Sequence, residues 1–172
     1  YSRGELRKLF GMVLQDTWIF TGTIKENIVY GNENVTEAEI INATKLACAH
    51  DFIIKLSQGY ETKISEDNIT LSQGQKQLIT IARAILRNPR FLILDEATSG
   101  VDTRTEMKLQ KAMENLIHGR TSFVIAHRLS TIKSANLILV IKDGKIEEQG
   151  THKELMDKKG FYYTMFNEQY TN

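Results

Sequence analysis

Short apolar runs alternate with capped, amphipathic stretches along these 172 residues. That alternation predicts an α/β fold built on a parallel sheet, with an antiparallel pair toward the end. Phe91-Leu92-Ile93-Leu94 is an unbroken apolar run, the pattern of a strand covered on both faces, and Thr121 to Ala126 is similar. Four threonines are followed three residues later by glutamate: Thr23/Glu26, Thr36/Glu39, Thr103/Glu106 and Thr151/Glu154. Each reads as a capping box, in which the hydroxyl accepts from the helix's third amide and the carboxylate reaches back to the cap amide. Helices are therefore expected over about 24–30, 37–48, 104–117 and 152–158. A further helix, about 73–87, carries Leu78, Ile81, Ala82, Ile85 and Leu86 on one apolar face. Another, about 160–170, carries Phe161, Tyr162, Met165 and Phe166. Pro89 separates the helix at 73–87 from the strand at 91–94. Asp143-Gly144 lies between the strand-like runs 137–142 and 145–149 and predicts a hairpin.

Composition narrows the function. With 22 basic and 21 acidic side chains the formal net charge is +1, so the clustered basic excess of a nucleic-acid binder is missing and no nucleic-acid partner is expected. The single cysteine, Cys48, excludes an internal disulfide framework. It lies in the helix-like run 44–50 and reads as a buried structural thiol. No run approaches the ~18 continuous apolar residues of a membrane span, and no signal peptide opens the chain. This piece is expected to be soluble.

Two segments carry candidate chemistry. The apolar strand at 91–94 ends in Asp95-Glu96. Two carboxylates at the tip of a covered strand are costly unless a metal, a hydrogen-bond network or water compensates. In open α/β sheets ligands sit at that carboxyl edge. The competing reading is a loop with two solvated acids. The second segment, Leu71-Ser72-Gln73-Gly74-Gln75, opens the 73–87 helix. A helix start offers unpaired amides and the positive dipole end, which suits an anion, and Gly74 would let a phosphate approach the backbone. The plain alternative is that Ser72 and Gln75 form one more capping box.

Together these segments resemble the ATP-binding domain of ABC transporters. Leu71 to Gln75 is similar to the signature motif, with Ile81-Ala82-Arg83-Ala84 after it as in the family. Leu94-Asp95-Glu96-Ala97-Thr98-Ser99 resembles Walker B with the catalytic glutamate. Ser99 to Asp102 resembles the D-loop, Val124 to Arg128 the H-switch, and Val13-Leu14-Gln15-Asp16 the Q-loop. The motifs stand in family order. Three stretches point to exporters: 20–28 after the Q-loop, 59–66 as the X-loop, and 150–155 near the end.

The resemblance implies a P-loop NTPase-like parallel sheet with a helical signature subdomain over about 20–88, the catalytic core comprising 1–19 and 89–172. It implies ATP and Mg²⁺ as ligands. Asp95 and Gln15 would hold the metal. Glu96 would act as general base, with His127 at the γ-phosphate and Gln15 at the attacking water. Leu71, Ser72, Gln73, Gly74, Gln75 and Asp102 would meet a nucleotide held by a second nucleotide-binding domain. The X-loop and the region of Trp18 and Phe20 would meet coupling helices of a membrane domain, at the cytoplasmic face of the membrane. A surface amide at Gln15 and a core histidine at position 127 are the plain alternatives.

Some features depart from the family pattern. Ser65-Glu66-Asp67-Asn68 replaces a glycine-containing stretch, Leu78 stands where arginine is frequent, and Gly100 lies inside the D-loop. No G-x-x-x-x-G-K-[ST] occurs, and the lone Gly144-Lys145 is followed by isoleucine. The phosphate loop is expected before Tyr1, with residues 1–7 a charged approach to the Q-loop strand. The chain alone is then expected to be inactive, a fragment truncated at the N-terminus with uncovered apolar surface and a tendency to self-associate. Soluble ABC ATPases of DNA repair would place a long coiled coil between Gln15 and Leu71, yet only 56 positions (71 − 15) separate them, without heptads. Those of translation, or a non-catalytic interaction module, are the remaining alternatives.

Overall fold

The computed structural model describes residues 2–14, 17–32, 34–65, 71–95, 101–126 and 129–170. The chain divides into two compact units, 1–125 and 126–172.

The first unit opens with α1 (Arg3–Leu9), capped by Ser2 and Glu5, so the stretch read as a charged approach is a helix. Its hydroxyl–carboxylate pair is a capping box that the local charge pattern had obscured. Then follow β1 (Phe10–Val13), β2 (Gly22–Thr23), α2 (Ile24–Val29), α3 (Glu37–Leu46), α4 (His50–Ile53), a 3₁₀ turn at Gly59–Glu61 and β3 (Lys63–Ile64). The next helix is α5 (Gln73–Arg87), followed by β4 (Phe91–Asp95), α6 (Thr103–Ile117) and β5 (Thr121–Ile125). Strands β1, β4 and β5 form a parallel sheet in that order, and α6 supplies the crossover that parallel strands require. Val13, Leu94 and Val124 stand in one row of the sheet. Strands β2 and β3 pair antiparallel, which lays the 59–64 segment beside 22–24.

Helix α5 is the centre of this unit. It packs against α2 and α3, and against α6 and β1. Leu78, Ile79, Ile81, Ala82, Ala84 and Ile85 are buried along it. Leu78, where arginine is frequent in the family, fills core space at 1% exposure. The other sheet face is less covered: Met12 on β1 and Phe123 and Ile125 on β5 are exposed. This corrects the reading of 121–126 as covered on both faces. Strands β1 and β5 are the two edges of this sheet among the described residues, and both alternate between exposed and covered side chains, as a sheet with one open face requires.

Two boundaries also differ from expectation. Helix α3 ends at Leu46, and Cys48 adopts φ 54° beyond it. That thiol is partly buried against the core, and burial pushes its pKa up. Helix α6 is capped by Asp102, whose carboxylate accepts the Thr105 amide at 3.0 Å, and Thr103 is its first helical residue. Aspartate is at least as good a cap as threonine, so the helix starts one residue earlier than the Thr103/Glu106 pattern suggested. The boxes at Thr23, Thr36 and Thr151 form as read.

The second unit contains α7 (Leu129–Ser134), the antiparallel pair β6 (Ile138–Lys142) and β7 (Lys145–Gly150), α8 (His152–Lys158) and α9 (Phe161–Tyr170). Asp143 and Gly144 both take positive φ, 49° and 74°, as a tight hairpin turn demands. Val140, Leu155, Tyr162 and Phe166 form its core. The Glu148 carboxylate accepts the Tyr162 amide at 2.7 Å and so holds the start of α9 to the hairpin.

Candidate functional site

The start of α5 is built from Ser72, Gln73, Gly74 and Gln75. Ser72 Oγ accepts the Gln75 amide at 3.2 Å, while Gln75 Oε1 accepts the Ser72 amide at 2.9 Å. The capping-box reading of this segment is thus correct as geometry. It does not exhaust the helix start. The box engages two of the first-turn amides, and those of Gln73 and Gly74 stay outside it. Ser72 and Gln73 are exposed, and Ser72, which accepts with its oxygen, keeps its hydroxyl proton for an acceptor. Leu71 is buried at 3% exposure and anchors the turn in the core.

Gly74 has a second use. A Cβ there would collide with Thr105 Cγ2 and lie 3.3 Å from Val101 Cγ1. The first turn of α5 is therefore pressed onto the first turn of α6. The absent side chain serves helix packing, whatever else approaches it. Asp102 caps α6 at this junction, and hydrogen bonds from the Thr105 side chain and amide hold its carboxyl below the usual aspartate value. Gln73 Nε2 reaches Thr17 Oγ1 at 3.4 Å, in the segment that follows β1.

The structure thus brings Leu71, Ser72, Gln73, Gly74, Gln75 and Asp102 to one place. Asp95 ends β4, half-buried, in register with Ile125 of β5. The three parallel strands end at Val13, Asp95 and Ile125. Gln15, Glu96 and His127 follow those ends by one or two positions and lie outside the described residues, as do Asn68 and Gly100.

A second cluster was only partly anticipated. Trp18, Phe20 and Tyr30 form a ring cluster with centroids 5.4–5.6 Å apart, Trp18 and Tyr30 being more than half exposed. Asn27, fully buried in α2, organises its base. Its side chain donates to the carbonyls of Phe20 and Thr23 at 3.0 Å each and accepts the Phe20 amide at 3.1 Å. Arg83 of α5 donates from Nε to Asn27 O at 2.7 Å. Beside the cluster lies a groove of ≈ 460 Å³ lined by Lys25, Glu26, Val29, Tyr30, Asn32 and Glu61, among others. The 3₁₀ turn at its rim is pinned by Tyr60, whose hydroxyl lies 2.6 Å from Thr44 Oγ1 and 2.8 Å from His50 Nδ1. Burial pushes the Tyr60 pKa up. Neither Asn27 nor Arg83 was singled out from the sequence. The available signal was a polar residue on the apolar face of α2, beside Ile24 and Ile28.

An acid-tipped parallel strand with a capped, anion-suited helix start in the same unit defines an α/β domain of the class that places ligands at the carboxyl edge of its sheet. Residues 1–99 match the family described as ABC transporter. The chain belongs to that family. It is 55% identical over 164 residues to a fatty acid ABC transporter ATP-binding/permease protein of Mycobacterium bovis, covering 95% of this chain and 26% of that protein. It is 49% identical over 166 residues to an ATP-dependent lipid A-core flippase of Syntrophus aciditrophicus, covering 96% and 28%. Among solved structures, a bacterial Atm1-family ABC exporter with ATP bound matches with a TM-score of 0.86 at 42% identity, covering 98% of this chain and 30% of that one. The chain thus spans 26–30% of the length of these relatives and resembles their ATP-binding portion. Among the described residues no helix is long and apolar enough to cross a membrane.

Proposed function

We propose that these residues form the signature-bearing part of an ATP-hydrolysing domain that powers export through a membrane protein. The observation that carries the reading is the start of α5. Its capping box leaves the Gln73 and Gly74 amides and an exposed Ser72 hydroxyl in a first turn locked against α6. Such a turn presents donors and the positive helix end to a phosphate. In this reading the terminal phosphate of ATP, held by the phosphate loop of a second nucleotide-binding domain, meets Ser72 and Gly74, with Asp102 acting across the same seam.

Asp95 and Gln15 would hold Mg²⁺. One carboxylate at a strand end suits it, because Mg²⁺ uses few protein ligands beside substrate phosphates. When bound, it neutralises charge on the transferring phosphate. Glu96 takes the proton of the attacking water, Gln15 orients that water, and His127 donates to the phosphate. The 172 residues contain no G-x-x-x-x-G-K-[ST] loop, so the chain by itself binds ATP weakly and does not turn it over.

Residues about 20–88 act as the helical subdomain, with 1–19 and 89–172 in the catalytic core. The exposed Trp18–Tyr30 surface and its groove receive coupling helices of the membrane domain, on the cytoplasmic side. Exposed aromatics beside a concave surface suit an amphipathic partner segment. The relatives' names, which pair ATP-binding with permease, support this arrangement.

The test is ATP turnover by the intact transporter. Glu96→Gln is expected to lower it by about 10²–10⁴-fold, the usual contribution of a general base, while ATP binding persists. Wild-type turnover in that variant would remove the assignment.

A further inference from the structure

The position of Arg83 has a consequence beyond the packing of α5. Its guanidinium makes three donations to another part of the fold: Nε to Asn27 O at 2.7 Å, Nη1 to Trp18 O at 3.3 Å and Nη2 to Asn27 Oδ1 at 3.4 Å. Its Cζ lies 5.2 Å from the Tyr30 ring centroid and 5.8 Å from that of Trp18. Helix α2 has no basic residue in its last turn, and Asn27 O is one of its terminal carbonyls. Arg83 supplies the missing cation from a different helix. Among the described residues, neither ion pair includes Arg83. It is a half-buried cation held by carbonyls, an amide and two aromatic faces.

For stability alone that is a poor choice. Burying a charge costs free energy, and an apolar side chain of similar volume fills such a space as well or better. What arginine adds is a rigid fork that fixes several partners at once, which lysine cannot reproduce. The same segment is tied to α5 again at the helix start, through Gln73 and Thr17. The ten residues from Gln73 to Arg83 span about 15 Å of helix. The 17–30 segment is therefore fastened to α5 at its phosphate-facing end and again along its body.

We propose that Arg83 is a positioning residue that makes the Trp18–Tyr30 surface and the start of α5 move as one body, so that nucleotide engaged at Ser72–Gly74 is sensed at the aromatic surface. This inference rests on the function proposed above. Arg83 touches no nucleotide in it. It acts through Trp18, Asn27 and Tyr30.

Trp18 is the sole tryptophan of these residues and serves as the reporter. The experiment uses the intact transporter with any other tryptophans changed to phenylalanine, in a Glu96→Gln background. Mg·ATP is titrated while nucleotide binding and Trp18 emission are recorded separately. With Arg83 present, Trp18 emission changes along the binding curve. With Arg83→Lys, ATP binds with an affinity within about twofold, but the emission change falls at least about threefold, inside the range over which single contacts tune coupling between sites. Tyr30→Leu removes one ring of the clamp from an exposed position, is predicted to weaken the response in the same direction, and carries the test if Arg83→Lys fails to fold. An equal emission change in Arg83→Lys and wild type, or in Tyr30→Leu and wild type, overturns the proposal. So does the absence of any response in wild type that binds ATP. Failure of the functional reading looks different: ATP does not bind, or Glu96→Gln turns it over at the wild-type rate.

Discussion

Gly74→Ala separates packing from ligand approach at the start of α5. The new Cβ would overlap Thr105 Cγ2 and touch Val101 Cγ1 at 3.3 Å, so α5 and α6 must move apart or Thr105 must rotate. Overfilling a packed contact costs about 1–3 kcal/mol. Replacing a helical glycine by alanine returns roughly 0.5–1 kcal/mol of backbone entropy. The expected net loss is therefore between about zero and 2.5 kcal/mol. Thr105→Ser keeps the amide and hydroxyl that hold Asp102 and removes the colliding methyl. In the background of Thr105→Ser the alanine should cost little or stabilise, giving a coupling of about 1–3 kcal/mol, the overfilling term alone, in a double-mutant cycle. Urea unfolding of the four proteins measures this, provided the m-values agree. A coupling within about 0.5 kcal/mol of zero would show that the glycine is not needed for the α5–α6 contact.

Other outcomes follow from the same geometry. Thr36→Ala should cost about 1 kcal/mol because it removes a formed cap, whereas Thr103→Ala should stay within ~0.5 kcal/mol because Asp102 caps α6; urea midpoints distinguish them. Asn27→Ala leaves the part-buried Phe20 amide and carbonyl without their side-chain partner, while the Thr23 carbonyl keeps its place at the start of the α2 ladder; at 1–3 per orphaned group it should cost about 2 kcal/mol or more, read from the same curves. Glu5 and Glu154, held mainly by cap backbone amides, and Glu39 and Asp102, held mainly by cap or first-turn side chains, have pKa values below the ordinary 4.5 and 3.8. A folded pKa below the unfolded one adds stability that is fully present above the unfolded value and is lost as pH falls through the folded one. The urea midpoint should therefore hold near neutrality and decline as pH drops below 4.5; a midpoint that rises on acidification contradicts this. The exposed Met12, Phe123 and Ile125 predict concentration-dependent self-association of the 172-residue chain by light scattering.

Local chemistry made much of this fold legible. Helix α5 shows apolar periodicity behind a Ser–Gln cap, and β4 is a short apolar run between proline and two acids. The hairpin of the second unit is written in Asp143-Gly144. What stayed hidden depends on pairing across the chain. Strands β2 and β3 are two residues each and have no pattern of their own. The Gly74–Thr105 contact joins two helix starts 31 positions apart (105 − 74), and Arg83 meets Trp18 across 65 positions. No window of sequence contains either. The open face of β5 was invisible for the same reason, since Phe123 and Val124 look alike until elements packed on the sheet define inside and outside. The roles of Gln15, Glu96 and His127 come from family resemblance.

One measurement bears most directly on the central claim: phosphate release by the intact transporter when Ser72→Ala and Glu96→Gln are combined. Removing the helix-start hydroxyl and the general base together should lower turnover by at least about 10²-fold. Release at the wild-type rate would mean that ATP is hydrolysed somewhere other than between these groups.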